Sequence, residues 1–301
     1  MTPRPERIPF IKAEANGNDF LLVPATAVAP ALRPAVAREL CDRRCGLGAD
    51  GVEWWRYNPR RRELHLALHN ADGSPAEISG NGTRCAVAWC ARRFRVDTMT
   101  VLTAAGNKSA KRLASPPRLS AAHPARPDEV WIELNMGVPR FRAEEIPAAV
   151  AGAELERGLI LAARGRDWPV TALSVGNPQA CVLVEAFPED WADVAAALGR
   201  HPAFPQQANV EFVRRVNAHA IAIRIRERGA GVTPSSGTGS CAAAIAAIRA
   251  GQAESPVEVI APGGAQEVAW AGDGHAVWLR GPARIIASGY AWAPAAAGEG
   301  R

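Results

Sequence analysis

The chain has 301 residues, 48% hydrophobic and 22% charged, a balance that predicts two cored domains and excludes a disordered protein. The formal net charge is +5, yet only Lys12, Lys108 and Lys111 are lysines and the arginines are scattered, so no nucleic-acid partner is expected. The six cysteines form no zinc-type Cys-x-x-Cys unit, which favours reduced structural thiols. Residues 1–10 lack a signal-peptide core and the apolar run 241–248 is too short for a membrane span, so we expect a cytoplasmic protein without a membrane partner.

The first half of the chain has the pattern of an α+β lobe. Residues 8–12 and 20–23 resemble short strands flanking a turn at 15–19, and residues 33–45 have helical spacing. The glycine-rich loop 46–51 is only a weak phosphate-loop candidate, because no Lys-Ser/Thr pair follows it. The other predicted elements are strands 63–68, 99–103, 109–113 and 130–134, helix 83–94 and an exposed loop 114–127.

The second half repeats this plan, which predicts two pseudo-symmetric β-rich lobes, each wrapped around a central helix, with an active-site cleft between them. The expected lobes are 1–135 and 136–282, and residues 283–301 form a final strand returning to the N-terminal lobe and a frayed tail. The predicted elements are strands 170–175, 180–184, 209–213, 221–226, 257–260, 266–270, 276–279 and 283–288, and helices 189–198 and 237–250.

Two similar glycine turns, one in each half, are the main functional signal. Ser79-Gly80-Asn81-Gly82 and Ser236-Gly237-Thr238-Gly239 each open an alanine-rich helix. Glycine lets the backbone approach a ligand, and the first amides of a helix together with its dipole bind anions. The two turns are therefore predicted to hold one carboxylate between them.

The ordered motifs resemble the diaminopimelate epimerase family over nearly the whole chain. They are Gly17-Asn18-Asp19-Phe20, 46–51, Asn70-Ala71-Asp72-Gly73-Ser74, 80–85, Val175-Gly176-Asn177-Pro178, 208–212, 227–231 and 237–241. The resemblance implies that family's fold, no cofactor or metal, a small amino-acid substrate and a homodimer. It also implies inversion of the α-carbon of diaminopimelate, in the pathway to lysine and peptidoglycan precursors, by two residues on opposite faces.

The two residues that carry the proton in the family are cysteines, and both are serines here, Ser79 and Ser236. A cysteine thiol with a pKa of ~8.5 readily becomes a thiolate at a helix N-terminus, whereas a serine base needs its own proton acceptor. His69 either approaches the cleft or is a satisfied strand-end histidine, the favoured interpretation. Gln179 occupies a position that is commonly histidine in the family. Cys85 and Cys241 lie within the helices and are expected to pack in the core.

The sequence contains all the residues that we expect to bind the substrate. By resemblance, Gly80, Asn81, Gly237 and Thr238 hold the reacting carboxylate, and Glu227 receives the reacting ammonium group. The residues that would hold the distal end of the substrate are Asn18, Asn70, Asn177, Asn209 and Arg228. Amides, one arginine and one glutamate suit a zwitterion, although each asparagine alone is equally typical of a turn.

Three functions remain open at this point. The favoured one is a diaminopimelate epimerase that uses the two serines directly or through water. The second is an isomerase or racemase retuned for another amino or hydroxy acid, with Gln179 and Val232, which stands where the family usually has glutamate, altering specificity. Gly51, at a position that is glutamine in some members, is another departure. The third is a noncatalytic amino-acid-binding relative, and a deliberate double Cys→Ser substitution would give the same sequence.

Overall fold

The computed structural model describes residues 7–117, 126–150, 155 and 158–292. Over these residues the chain forms two compact units, the first containing 7–113, 127–132 and 283–292 and the second containing the rest. The boundary falls within two strands, at residues 132/133 and 282/283. The predicted tail 294–301 and most of the predicted loop 114–127 lie outside the described residues.

The two units contain four α-helices among the described residues, all in a β-rich fold. Up to residue 112 the elements are β1 (Arg7–Ala15), β2 (Asn18–Pro24), α1 (Arg33–Cys41), β3 (Gly51–Asn58), β4 (Glu63–Asn70), β5 (Pro75–Ala76), α2 (Gly80–Phe94), β6 (Thr98–Thr103) and β7 (Gly106–Arg112). They continue with β8 (Val130–Gly137), β9 (Leu159–Ala163), β10 (Arg166–Ser174), β11 (Pro178–Val184), α3 (Trp191–Gly199), β12 (Asn209–Asn217), β13 (Ala220–Glu227), β14 (Gly231–Thr233), α4 (Gly237–Arg249), β15 (Val257–Ala261), β16 (Gly264–Ala269) and β17 (Val277–Trp292).

The strand pairing of the first unit is repeated in the second. In the first unit β1–β2 is antiparallel, β2–β3 parallel, β3–β4 antiparallel, β4–β6 parallel and β6–β7 antiparallel. The series β10, β11, β12, β13, β15 and β16 pairs in the same alternating order. Position by position, β3 therefore corresponds to β12 and helix α2 to helix α4.

Each series of strands closes into a barrel. In the first unit β17 pairs with β1 and β8, and a 2.8 Å hydrogen bond from Leu113 N to Trp131 O joins the end of β7 to β8. In the second unit β17 pairs with β16 and β8, and Arg140 bridges to Ser174 of β10. Closure leaves few unpaired strand edges, which is how barrels protect their backbone groups.

Helices α2 and α4 are core helices of their own units. Helix α2 contacts β1, β2, β3, β4, β6 and β7, and α4 contacts the six corresponding strands β10, β11, β12, β13, β15 and β16. Eleven of the fifteen residues of α2 and eleven of the thirteen of α4 are buried, so neither is a surface helix with one apolar stripe. Their glycines, alanines and cysteines let the surrounding strands approach closely. No helix of the described residues is long and apolar enough to cross a bilayer.

Several element bounds differ from those predicted. Helix α1 ends at Cys41 rather than at residue 45, because Asp42 Oδ1 accepts hydrogen bonds from Arg44 N and Cys45 N and turns the chain. Residues 52–55, which had no strand assignment, lie in β3. The two predicted strands 276–279 and 283–288 are one strand, β17, which continues through Gly281-Pro282.

Candidate active site

Ser79 caps the N-terminus of α2 in the first unit. Its Oγ accepts a 3.1 Å hydrogen bond from Gly82 N, and its carbonyl oxygen accepts one of 2.8 Å from Thr83 N. The amides of Gly80 and Asn81 precede the first helical hydrogen bond, so they have no acceptor within the helix. This first turn therefore has the arrangement that binds anions, with a half-buried serine hydroxyl beside it.

The Asn81 side chain is fixed by a polar network in the first unit. Its Nδ2 donates to Asn18 Oδ1 at 3.2 Å, and Asn18 Nδ2 donates to Asp50 Oδ2. Arg43 and Lys12 form ion pairs with Asp19, which neighbours Asn18, and Arg43 also pairs with Asp50. Although burial opposes ionisation, these two cations hold the pKa of Asp19 below its ordinary value. The network brings the predicted binding residues Asn18 and Asn81 into direct contact.

Arg84 supports the first turn of α2, a role that the sequence analysis did not predict. It lies on α2, is fully buried, and donates from one guanidinium nitrogen to Asn16 Oδ1 and Asn81 Oδ1, both at 2.8 Å. A fully buried arginine is rare unless it is paired. Here it ties the first turn of α2 to the β1–β2 turn.

Asn70 and His69 lie at the end of β4. Asn70 is exposed, pairs with Gly51 of β3, and donates from Nδ2 to Ser74 Oγ at 3.0 Å. His69 Nδ1 accepts a 3.0 Å hydrogen bond from Trp54 Nε1. Burial and the charge of Arg33 lower the pKa of His69, so the ring is neutral with its proton on Nε2. His69 is thus a satisfied strand-end histidine, the favoured interpretation.

Ser236 caps the N-terminus of α4 in the second unit with the same hydrogen-bond pattern as Ser79 in α2. Its Oγ accepts a 3.2 Å hydrogen bond from Gly239 N and lies 3.4 Å from Thr238 Oγ1, and its carbonyl accepts from Ser240 N at 3.0 Å. Ser236 is 4% exposed, so it is more buried than Ser79. The amides of Gly237 and Thr238 come before the first helical hydrogen bond and form a second anion-binding turn.

A buried amide supports the second turn. Gln266 of β16 donates from Nε2 to Ser235 Oγ at 2.7 Å and to Ser240 Oγ at 3.4 Å. All three side chains are fully buried. The second turn is therefore held by neutral groups, whereas an arginine holds the first.

The other predicted binding residues of the second unit form one cluster. Asn209 Oδ1 accepts a 2.8 Å hydrogen bond from Arg228 N, and Asn209 pairs with Gln179, whose Nε2 donates to Asn177 Oδ1. Arg228 is exposed and donates from its guanidinium to Gln206 O at 2.9 Å. With Glu227 it lines a cavity of about 320 Å³ beside the C-terminal end of α3. Neither Ser236 nor Thr238 lines that cavity.

Two buried glutamates are further residues that the sequence analysis did not assign to the site. Glu53 is the third residue of β3 and Glu211 the third of β12; they are 1% and 0% exposed. Burial raises the pKa of Glu53 to about 8. Burial, with the charge of Glu227, raises the pKa of Glu211 well above its ordinary value despite a hydrogen bond from Cys181. The signal in the sequence was Val-Glu-aromatic at the same place in both repeats.

Cys85 and Cys241 are fully buried in α2 and α4, in agreement with their expected role in packing. Burial raises the pKa of the Cys85 thiol, with Arg84 opposing the shift. A thiol in this state is a poor nucleophile and a poor base at neutral pH. Neither position therefore offers a substitute for Ser79 or Ser236. Among the described residues no cluster of His, Cys, Asp and Glu is arranged to hold a metal ion.

Comparison with known proteins identifies the family. The profile described as "Diaminopimelate epimerase" matches residues 10–114 and 171–286. A protein of Synechococcus sp. (strain JA-3-3Ab) with that name is 38% identical over 292 residues, 95% of this chain and 98% of its own. The chain belongs to the diaminopimelate epimerase family. A second relative, diaminopimelate epimerase 1 of Nostoc sp. (strain PCC 7120), is 35% identical over 94% of this chain and 99% of its own.

Solved structures that resemble this member of the diaminopimelate epimerase family share its fold. A PhzF-family phenazine biosynthesis protein of Bacillus anthracis superposes with a TM-score of 0.66 and 12% identity, covering 95% of this chain and 99% of the other. A hydroxyproline epimerase of Agrobacterium vitis gives 0.64 and 15%, covering 96% and 92%. The diaminopimelate epimerase family and these curated relatives are isomerases, and so is the protein described here.

Proposed function

We propose that the protein is a cofactor-independent epimerase that interconverts LL- and meso-diaminopimelate. Relatives named diaminopimelate epimerase match it at 38% and 35% identity over nearly their full length. The observation that carries the proposal is that each unit holds a helix N-terminus capped by a serine, Ser79 or Ser236. The family resemblance assigns the two proton carriers to these same two positions. Of the polar groups expected to bind a zwitterion, Asn18 contacts Asn81 of the first turn, which supports the proposal.

In this mechanism Ser79 and Ser236 act on the α-carbon of one substrate. One serine oxygen removes the α-proton, and the hydroxyl of the other donates its proton to the opposite face of the carbanion. The amides of the two turns stabilise the charge that develops on the substrate carboxylate, as in other sites that stabilise an anion with backbone donors. Glu227 receives the reacting ammonium group, and the amides with Arg228 hold the distal end.

The serines make this enzyme slower than its cysteine relatives. Each Oγ already accepts a hydrogen bond from a helix amide, Gly82 N or Gly239 N, and this bond would stabilise an alkoxide. Among the described residues, however, no carboxylate or imidazole is hydrogen-bonded to either hydroxyl to accept its proton. A positioned base contributes about 10²–10⁴-fold to a proton transfer. We expect the Ser79→Cys plus Ser236→Cys protein to gain activity of that order.

Exchange of the α-proton with solvent tests the proposal. Purified protein incubated with LL- or meso-diaminopimelate in heavy water should incorporate deuterium at the α-carbon, detected by NMR. Ser79→Ala and Ser236→Ala should each stop inversion, while Ser235→Ala, which alters a neighbouring buried serine bonded to Gln266, should retain it. Absence of exchange with either isomer, in the wild type and in the double-cysteine protein, would refute the assignment.

A retuned isomerase for another amino acid is the second candidate, because one position in the binding cluster departs from the family. Position 179 is commonly histidine in the family but is glutamine here. Gln179 is buried, and its Nε2 donates a hydrogen bond to Asn177 Oδ1, a predicted substrate ligand. A panel of amino and hydroxy acids in the same exchange assay separates the two. Exchange with another acid, together with none for diaminopimelate in the double-cysteine protein, would select the second candidate.

A further inference from the structure

Glu53 and Glu211 occupy equivalent positions of the internal repeat. Each is the third residue of its strand, β3 or β12, and each of these strands contacts the core helix of its own unit. Each carboxyl is almost completely removed from water. The proposed mechanism assigns a role to neither residue. Burying a carboxyl group costs folding free energy unless it is hydrogen-bonded or paired, so its presence at both equivalent positions suggests a function.

Each carboxyl lies against the anion-binding turn of its own unit. A Cβ placed on Gly82 would collide with Glu53 Oε1, and one placed on Gly239 would lie 2.8 Å from Glu211 Oε1 and 3.3 Å from Ser236 Oγ. Gly82 and Gly239 are the residues whose amides bind the two capping serines. Glycine at these positions therefore leaves room for a carboxyl oxygen beside the anion-binding end of each helix.

Among the described residues, no neighbour of the second carboxyl, Glu211, would neutralise a charge on it. Glu211 Oε1 makes no hydrogen bond to any described residue, and Oε2 accepts only a weak one from Cys181 Sγ at 3.5 Å. An ionised carboxylate here would be buried and uncompensated. It would also repel any anion bound at the turn, because like charges interact strongly where water is excluded.

We infer that Glu53 and Glu211 are positioning residues that set the anion affinity of the two turns, and that each turn binds the substrate carboxylate only while its glutamate is uncharged. The identity of the substrate rests on the proposed function; the effect of the glutamates on the turns does not. A neutral carboxyl leaves the partial positive charge of the helix N-terminus available to the ligand. An ionised one cancels it.

The neighbouring titratable groups reinforce this requirement. Within the first unit, burial raises the pKa of Cys85 of α2. The charge of Arg84 opposes this shift, and the charges of Glu14, Glu53 and Asp19 add to it. Burial raises the pKa of Glu53 to about 8.

In the second unit Glu211 faces Cys181 of β11 and the charge of Glu227 at the end of β13. The shift in the pKa of Glu211 is due first to burial and then to the carboxylate of Glu227. The pKa of Glu211 therefore lies well above its ordinary value, and the second turn, like the first, loses its ligand as the pH rises.

Calorimetric binding of meso-diaminopimelate between about pH 6 and about pH 10 tests the inference. Glu53→Gln should bind as tightly as the wild type at the acid end, because glutamine is a neutral mimic of similar shape. Above about pH 8 the wild type should lose about tenfold in affinity per pH unit relative to Glu53→Gln. Titration of the ligand's own ammonium groups affects both proteins equally and cancels in this ratio.

Glu211→Gln and Glu258→Gln complete the set. Glu211→Gln should also bind normally at about pH 6 and should remove a loss of affinity at higher pH. Glu258, a buried glutamate of β15, is the matched control, and its glutamine variant should keep the wild-type pH profile. Infrared difference spectra between the wild type and Glu53→Gln should show a protonated carboxyl at about pH 6 that disappears above about pH 8.

The outcomes separate this inference from the proposed function. Identical pH profiles for the wild type, Glu53→Gln and Glu211→Gln would overturn it, as would weakened binding of the glutamine variants at pH 6. Pronounced pH dependence of binding, without α-deuterium exchange in either the wild type or the double-cysteine protein, would refute only the proposed function. If meso-diaminopimelate does not bind at any pH, the infrared band decides, and absence of a protonated carboxyl at pH 6 overturns the inference.

Discussion

The two serine-capped turns share one backbone design but differ in how their own units hold them. Arg84 follows Thr83 in α2 and fastens the first turn with a buried charge. Cys241 occupies the corresponding place in α4, where Gln266 holds the turn through two serine hydroxyls instead. The repeat has therefore kept the helix N-terminus, the capping serine and the buried glutamate, while the supporting side chains have diverged. The geometry of the anion site depends on the turn, and its stability depends on the support.

The largest expected effect is from removing the charged support. Arg84→Met should destabilise the protein by about 3–5 kcal/mol, because Asn16 Oδ1 and Asn81 Oδ1 each lose a hydrogen bond from a charged donor, worth about 1.5–3 kcal/mol apiece. Urea unfolding monitored by tryptophan fluorescence measures the change. Gln266→Met, the counterpart in the second unit, should cost about 1–3 kcal/mol, because the hydrogen bonds from Gln266 Nε2 to Ser235 Oγ and Ser240 Oγ join neutral groups. Equal losses would show that the two supports do not differ in the way their chemistry implies.

The two buried glutamates, Glu53 and Glu211, can be compared through the pH dependence of the unfolding free energy. Glu53 has a pKa of about 8 when folded and 4.5 when unfolded, so folding binds a proton between these values and stability falls as pH rises through them. Glu53→Gln removes this loss. Relative to the wild type, the variant should gain about 1.4 kcal/mol per pH unit from about pH 4.5 to about pH 8.

At neutral pH the Glu53→Gln variant should be more stable than the wild type by on the order of 2 kcal/mol, once the cost of burying an amide is subtracted. Glu211→Gln should show the same trend, gaining stability relative to the wild type as the pH rises above about 4.5, since the pKa of Glu211 lies well above its ordinary value. Unfolding free energies at several pH values give both curves. A difference between Glu53→Gln and wild type that does not change with pH would contradict a buried neutral glutamate.

The turns were predictable from sequence, and their support was not. Ser79 and Ser236 carry a local signal, since serine before glycine at the start of an alanine-rich segment predicts a capped helix. The role of Arg84 depends on Asn16, which is distant in sequence and reaches it only when the β1–β2 turn folds against α2. A single arginine in a helix ordinarily indicates a solvent-exposed face, so the sequence alone does not predict a buried role for Arg84. The assignment of the two serines as an acid and base pair stays a prediction.

Strand β3 illustrates a second limit. Residues 51–58 form a strand, but Glu53 interrupts the apolar pattern that predicts one, and only burial within the barrel explains a glutamate there. Strand β17 shows the opposite error, because Gly281-Pro282 indicated a break that the structure does not have. In both cases tertiary contacts override a local preference. Comparing the two repeats would have exposed the glutamates, since Glu53 and Glu211 follow valine and precede an aromatic residue in both.

Glycine substitutions at the third helical position test how closely each carboxyl packs. Gly82→Ala should cost about 1–3 kcal/mol, because the methyl group meets Glu53 Oε1 and the Phe20 ring. Gly239→Ala should cost less, since its nearest contact, Glu211 Oε1 at 2.8 Å, is looser. Gly289→Ala, whose Cβ would meet nothing closer than 3.5 Å, is the control and should change stability by under about 0.5 kcal/mol.

A double-mutant cycle shows whether the methyl group of Gly82→Ala clashes mainly with Glu53 or with Phe20. Glu53→Ala in the Gly82→Ala protein should recover part of the loss, because truncating the carboxyl makes room for the methyl group. Additive effects of the two substitutions would place the strain at Phe20 instead of at the glutamate.

The smallest expected effect separates the structural role of each serine from its chemical role. Ser79→Ala and Ser236→Ala both remove a hydrogen bond from a serine oxygen to a helix amide, Gly82 N or Gly239 N, and losing such a cap costs about 1 kcal/mol. Ser236 is nearly completely buried and Ser79 only half, so Gly239 N should be less able to find water and the loss should be larger at Ser236. Thermal unfolding measures both. The proposed chemistry predicts loss of activity far beyond these small costs, so an alanine variant that keeps both its fold and its exchange activity would leave that serine only its capping role.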